Sequence, residues 1–130
     1  MKTANESKAR EAYAQVKTIA TGEIAAEAQY FEAYFKSSDG AHEASNVSVQ
    51  YLIKNYSSYK YYAAKGLIVM AKNFQALEDV FQSTYILENV IQNFSEFNEV
   101  VEDAQSELEK IKTEASKTNS SIEVDTQNKN

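Results

Sequence analysis

Residues 49–59 read VQYLIKNYSSY, and residues 87–97 read LENVIQNFSEF, 38 residues further on. In register, Val49 pairs with Leu87, Leu52 with Val90, Ile53 with Ile91, Tyr56 with Phe94 and Tyr59 with Phe97. Any two amphipathic helices share an apolar stripe. Shared polar identities at Asn55/Asn93 and Ser57/Ser95 are not required by such a stripe, so the pair reads as an internal repeat. Each copy closes one helix and opens the next. The preceding helices correspond too, Ala28-Phe31-Phe35 against Leu67-Met70-Phe74, both stepping by three and then four. This second alignment runs one residue out of step with the first, which makes the turn of the first unit one residue longer. A two-helix unit at this period marks a helical solenoid.

Outward from the repeat, the periodicity predicts six helices. Residues 7–20 place Ala9, Ala12, Tyr13, Val16, Ile19 and Ala20 on one face, and Thr21-Gly22 stops the helix. Residues 23–36 carry Ile24, Ala28, Phe31 and Phe35, followed by the turn Ser37-Ser38-Asp39-Gly40. Residues 42–56 turn Ser45, Val49, Leu52, Ile53 and Tyr56 inward, and Ser57-Ser58 are expected to cap the next start. Residues 59–76 are apolar on more than one side, through Leu67, Met70, Ala71 and Phe74, so this helix is expected to be central. Residues 80–94 bury Ser83, Leu87, Val90, Ile91 and Phe94. Ser95 is expected to cap the helix 96–115, whose stripe is Phe97, Val100, Val101, Ala104, Leu108, Ile111 and Ala115. Residues 116–130, KTNSSIEVDTQNKN after Ser116, are too polar to bury and are expected to form a disordered tail. Short connections make successive helices antiparallel hairpins.

Composition agrees with an all-α reading and narrows the chemistry. The 130 residues include no cysteine, no proline and three glycines. Disulfide frameworks, thiol catalysis and cysteine-rich zinc sites are thereby excluded. A formal charge of −6 argues against a nucleic-acid face or a polybasic membrane patch. The first twenty residues have no apolar core of the kind a secretory signal needs, and the longest strongly apolar run, residues 66–71, is far too short to span a bilayer. As written, the chain reads as soluble and not exported, and a fragment of a longer exported protein would read the same.

The pattern resembles the tetratricopeptide-repeat (TPR) family. The first unit offers Phe31, Phe35, Gly40 at the turn, Leu52 and Tyr56; the second offers Leu67, Met70-Ala71, Phe74, Val90 and Phe94. Residues 7–20 look like the second half of a preceding unit, and residues 96–115 like a terminal capping helix. The stretches GEIAAEAQYFEAYFKSSDGAHEAS, YLIKNYSSYKYYAAKGLIVMAKNF and IQNFSEF are similar to the C-terminal end of larger, envelope-associated bacterial TPR proteins. The sequence departs from the family at Ser57 and Ser95 (usually proline), Ser45 and Ser83 (usually alanine), Glu78 (usually glycine) and His42 (usually aromatic).

The resemblance implies a right-handed superhelical stack of antiparallel helix hairpins, a TPR-like solenoid with a C-terminal capping helix. It implies a non-enzymatic protein-interaction scaffold, with a location in the periplasm or at the outer membrane if the chain belongs to a longer protein. In that family the first helix of each unit lines a concave groove. Gln29 or Tyr30, Ala33 or Tyr34, and Lys65, Ile68 and Lys72 are therefore the protein-binding candidates, with Lys65 and Lys72 placed to meet a peptide carboxylate.

Other chemistry is sparse. His42 is read as a packing side chain beside a turn, because a metal or base role lacks a second histidine, cysteine or strained nucleophile to work with. Glu96, Glu99, Glu102, Asp103, Glu107 and Glu109 read as a solvated helix face. No constellation for a catalytic, cofactor or metal site is seen. Tyr30, Phe31, Tyr34 and Phe35 occupy two neighbouring stripes of one helix, and with Tyr59, Tyr61 and Tyr62 they make an aromatic surplus that is either covered by neighbouring helices or forms an interaction patch. The expected partner is a protein or peptide, or a second copy of the chain. Stacked arrays need about three units for stability. Residues 7–36 are therefore expected to be covered by another repeat or by a second copy. The competing architecture is an oligomerising bundle wrapped around one shared axis, with a closed core and no groove.

Overall fold

A computed structural model describes residues 4–19 and 22–128, with side-chain surroundings described for 4–14 and 22–117. The elements are α1 (Ala4–Ile19), α2 (Glu23–Ser38), α3 (His42–Asn55), α4 (Lys60–Ala76), α5 (Val80–Asn93) and α6 (Asn98–Asn128). Among the described residues there is no strand. Each helix packs on the next in sequence, and α2 also packs on α4 and α4 on α6. The even-numbered helices thus form a continuous row. Helix α3 bridges α2 and α4, α5 bridges α4 and α6, and α3 and α5 do not pack on each other.

The core runs along this row. Val49, Leu52, Ala64, Ala71, Leu87, Val90 and Ala104 are almost wholly buried. Helix α4 is central, as its apolar breadth implies, packing on α2, α3, α5 and α6. Its deepest side chains differ from the predicted stripe. Ala64, Ile68 and Val69 join Met70 and Ala71 in the core, whereas Leu67 and Phe74 lie at its edge.

The 38-residue period holds through the whole unit. Both ends of α3 and α5, and the starts of α4 and α6, are 38 residues apart. The expectation of a longer first turn is therefore corrected. The two helix–turn–helix connections have the same length and the same backbone bonds: Gly40 N–H to Ser37 O (3.0 Å) and Ala41 N–H to Lys36 O (2.9 Å), repeated by Glu78 to Gln75 (3.0 Å) and Asp79 to Phe74 (2.8 Å). These crossed bonds form Schellman motifs, whose pivot residue must enter the left-handed region. Gly40 does so at φ 84 and Glu78 at φ 62. Register is set by small residues as well. A Cβ on Gly66 would come within 2.8 Å of Leu52 Cδ2, and the buried alanines Ala28 and Ala104 occupy the same place in the repeat.

The connections between units also recur, but the serines do not cap them. Tyr59 is the N-cap of α4 and makes no side-chain capping bond. The backbone supplies the turn instead, Tyr59 N–H to Tyr56 O (3.0 Å) and Phe97 N–H to Phe94 O (3.1 Å). The one side-chain cap found at a described start is Asp79, which accepts from Gln82 N–H at 3.1 Å.

Two differences lie at the ends. Helix α6 continues to Asn128, past the boundary expected at Ala115; residues 98–130 contain neither glycine nor proline to stop it. On α1, Ala12 is exposed and Arg10 faces α2 in its stead, bonding Asp39 and Glu6 and lying 4.7 Å over the Phe35 ring. Tyr13 stacks on Phe31 at 4.3 Å. The side chains of Val16 and Ile19, and Ala20 and Thr21 altogether, lie outside the described residues.

Candidate protein-binding groove

The row α2–α4–α6 leaves a groove of about 420 Å³. Tyr30 and Tyr34 form its α2 wall, Lys65, Ile68 and Lys72 rise from α4, Glu99 and Asp103 come from α6, and Val69 and Val100 lie between them. All five sequence-derived candidates, Tyr30, Tyr34, Lys65, Ile68 and Lys72, therefore line one concavity. The choice between neighbours is resolved by register. Ile68 and Lys72 fall 38 residues after Tyr30 and Tyr34, whereas Gln29 and Ala33 face α3. Gln29 Nε2 donates to Ser48 O at 3.0 Å, and Ala33 O accepts from Ser45 Oγ at 2.6 Å.

Burial divides the groove into floor and rim. Ile68 and Tyr30 are buried, and Tyr34 stays 44% exposed. Burial, and then the neighbouring Tyr34, Tyr61 and Asp103, push the Tyr30 hydroxyl up to about 12, so it remains a neutral donor in physiological solution. Lys65 Nζ lies 4.7 Å from the Tyr30 ring centroid and 5.3 Å from that of Tyr61, within cation–π range. Lys72 is not a free cation: its Nζ is 3.7 Å from Glu107 Oε1.

Glu107 departs from the solvated face expected of the α6 carboxylates. Its side chain is 7% exposed, and Lys110 at 3.2 Å and Gln75 Nε2 at 3.2 Å also serve it. Burial alone would raise its pKa; hydrogen bonds from Gln75 and Lys110, with the charges of Lys72 and Lys110, outweigh burial and hold it below the usual carboxylate value. Glu99 accepts from the Tyr61 hydroxyl. Asp103 has no cation within ion-pair distance among the described residues. The groove thus carries an ammonium resting on aromatic rings on one wall and an uncompensated carboxylate on the other.

The aromatic surplus is mostly absorbed by packing. Tyr59, Tyr61 and Tyr62 pack against the core cluster; the Tyr62 hydroxyl donates to Glu27 at 2.7 Å, and Tyr61 meets Phe97 edge-on at 5.5 Å. His42 packs beside the turn, with Nδ1 3.0 Å from Asn73 Oδ1. Among the described residues, no three histidine or carboxylate side chains gather closely enough to hold a metal ion. No described helix is long and apolar enough to cross a membrane.

Sequence reasoning missed three features. Glu99, Val100 and Asp103 complete the groove because α6 folds back on α4, a pairing no local pattern announces. Asn73, wholly buried, ties α2, α3 and α4 together through Ser37, Ser45 and Asn46. Leu77, Phe81 and Tyr85 form an exposed apolar stripe leading onto α5, with Phe81 80% exposed; their four-residue spacing was the available signal. No protein-family model, curated protein or solved structure matches the chain.

Proposed function

We propose that this chain is a non-enzymatic protein-interaction scaffold of TPR type, binding a segment of another protein in the α2–α4–α6 groove. The observation that carries this reading is convergence: side chains of the same repeat register, from successive first helices of each unit, line one partly apolar groove. The continuous even-numbered row, bridged by helices that do not meet each other, supports a stack of hairpins over a bundle around one axis. The twice-repeated turn geometry supports it as well. In this reading α6 is the capping helix. A place in a bacterial envelope assembly rests on the likeness of residues 22–45, 51–74 and 91–97 alone.

The groove chemistry selects a segment with an apolar side chain to sit between Tyr34 and Ile68, an acidic group toward Lys65 and a basic group toward Asp103. Peptides selected from a random library on the immobilised chain test this. Tyr34→Ala and Lys65→Glu are expected to weaken the selected peptides tenfold or more, about 1.4 kcal/mol, at a temperature where circular dichroism shows both variants fully folded. Peptides indifferent to both substitutions would overturn the groove assignment. The exposed stripe Leu77-Phe81-Tyr85 favours a second reading, a self-associating structural module. Sedimentation of the wild type against Phe81→Asp decides it, since a dimer that Phe81→Asp dissociates would establish self-association.

A further inference from the structure

We propose that the outer face of α2, centred on Ile24, Glu27 and Phe31, is a second interaction surface that receives a basic amphipathic helix of a partner protein. The internal repeat shows what such a face is for. At the same register, α4 turns Tyr62, Lys65 and Val69 toward α2: Tyr62 stands 6.3 Å from the Tyr30 ring and bonds Glu27, and Lys65 lies over Tyr30. The next copy, on α6, is Val100, Asp103 and Glu107; Val100 is 3% exposed and Glu107 pairs with Lys72 of α4. The preceding even-numbered helix thus packs on Tyr62 and Lys65 in the one and on Val100 and Glu107 in the other, with Asp103 left exposed in the groove. Among the described residues, no even-numbered helix plays that part on α2. Helix α1 reaches Phe31 and the Glu27 carboxylate through Tyr13 and leaves the Ile24 end of the face open, with Ile24 62% exposed.

The other end of the row is finished differently. The outward register of α6 is Glu99, Glu102, Ser106 and Lys110, all exposed, where α4 has Tyr61, Ala64, Ile68 and Lys72. Terminal units of stacked arrays end in polar faces. Helix α6 does so and α2 does not.

Charge identifies the occupant. Glu23 and Glu27 flank Ile24. A second copy presenting its α2 would set these carboxylates against themselves, and one presenting α6 would bring Glu99 and Glu102, so copies of this chain are mismatched to the face. A helix with an apolar stripe flanked by lysine or arginine fits. Helix α4, with Lys60, Lys65 and Lys72, is such a helix and covers the acidic α6 in this molecule.

The probe is a synthetic peptide of residues 60–76, lactam-stapled as a helix to remove its ordering cost, titrated calorimetrically against the full chain. One-to-one binding is expected, weakened at least tenfold by Ile24→Glu and reduced by added salt. It should be unchanged by Asp103→Ala, which alters the groove but not this face. Ile24 is exposed, so the folded spectrum and thermal midpoint of Ile24→Glu should match wild type. Three results would each overturn the assignment: no binding at about 1 mM peptide (a free energy of only about −4 kcal/mol), binding indifferent to Ile24→Glu, or a dimer of the chain itself that Ile24→Glu dissociates.

Discussion

Replacing Asn73 with alanine tests whether a buried amide, and not apolar contact alone, holds α2, α3 and α4 together. Asn73 Nδ2 donates to Ser45 Oγ and Asn46 Oδ1, both at 2.8 Å, and Oδ1 accepts from Ser37 Oγ at 2.6 Å and His42 Nδ1 at 3.0 Å. Ser37 and His42 are half-buried, so water can replace what they lose. Ser45 keeps its bond to Ala33 O. Asn46, 8% exposed, is the group stranded. An unsatisfied buried acceptor costs about 1–3 kcal/mol, and the space left by the carboxamide adds about 1 kcal/mol. The expected loss is about 3 kcal/mol, or about 10 °C in thermal midpoint for a chain of this size. Urea and thermal unfolding followed by circular dichroism measure it, with Asn93→Ala as the matched control at an exposed site, where a change within about 0.5 kcal/mol is expected. A loss below about 1 kcal/mol at Asn73, or equal losses at the two sites, would refute the reasoning.

The remaining predictions concern the turns, the helix crossing and the buried carboxylate. Glu78→Gly should raise stability by about 0.5–1 kcal/mol, because the left-handed conformation costs a non-glycine residue about 1–2 kcal/mol and glycine's greater unfolded-state freedom returns part of it; an unchanged urea midpoint would contradict this. Gly66→Ala should lower stability by about 1–3 kcal/mol, since its Cβ would press on Leu52 at 2.8 Å; a wild-type thermal midpoint would show that Leu52 yields freely. Glu107 has a lowered pKa in the fold, so its ionised form contributes stability above the unfolded value near 4.5, and that contribution is lost as pH falls through the lower folded value. Glu107→Gln should therefore be less stable than wild type at pH 7 and converge on it toward pH 3; parallel urea midpoints across that range would disprove the ion-pair account.

The helix boundaries were legible because the repeat marks them twice, at Asn55/Asn93 and Tyr56/Phe94. The register of the first helices was misread by one residue because Phe35 was matched with Phe74, large residue with large residue. What fixes that register is the small residue at the crossing, Ala28, Gly66 or Ala104, and the left-handed pivot, which Glu78 disguises where Gly40 declares it. The capping serines misled for a related reason: a hydroxyl at Ser57 is a common capping group, yet the backbone bond at Tyr59 closes the turn without it. In the groove, Tyr30, Tyr34, Lys65, Ile68 and Lys72 could be found because they recur on one side of repeated helices. Asp103 and Glu107 could not, since a carboxylate on an acidic helix looks solvated until the fold brings lysines or a groove against it. Asn73 was invisible for the opposite reason, being a polar residue on a helix read by its apolar periodicity, while Gln29, one of the groove alternatives, turns to Ser48 of α3 instead.

The two junctions along the row are of unequal make. The first is pinned by Asn73 and Ser45; at the corresponding places the second has Ile111 and a Ser83 hydroxyl with no bonding partner. The second is held at its rim instead, by Glu107 with Lys72 and Gln75 and by the Tyr61 hydroxyl on Glu99, bonds set nearer water than those of Asn73 and weakened by salt. Stretched by its termini, the molecule should therefore yield first between α4 and α6, peeling from its carboxyl end while the amino-terminal hairpins stay clasped.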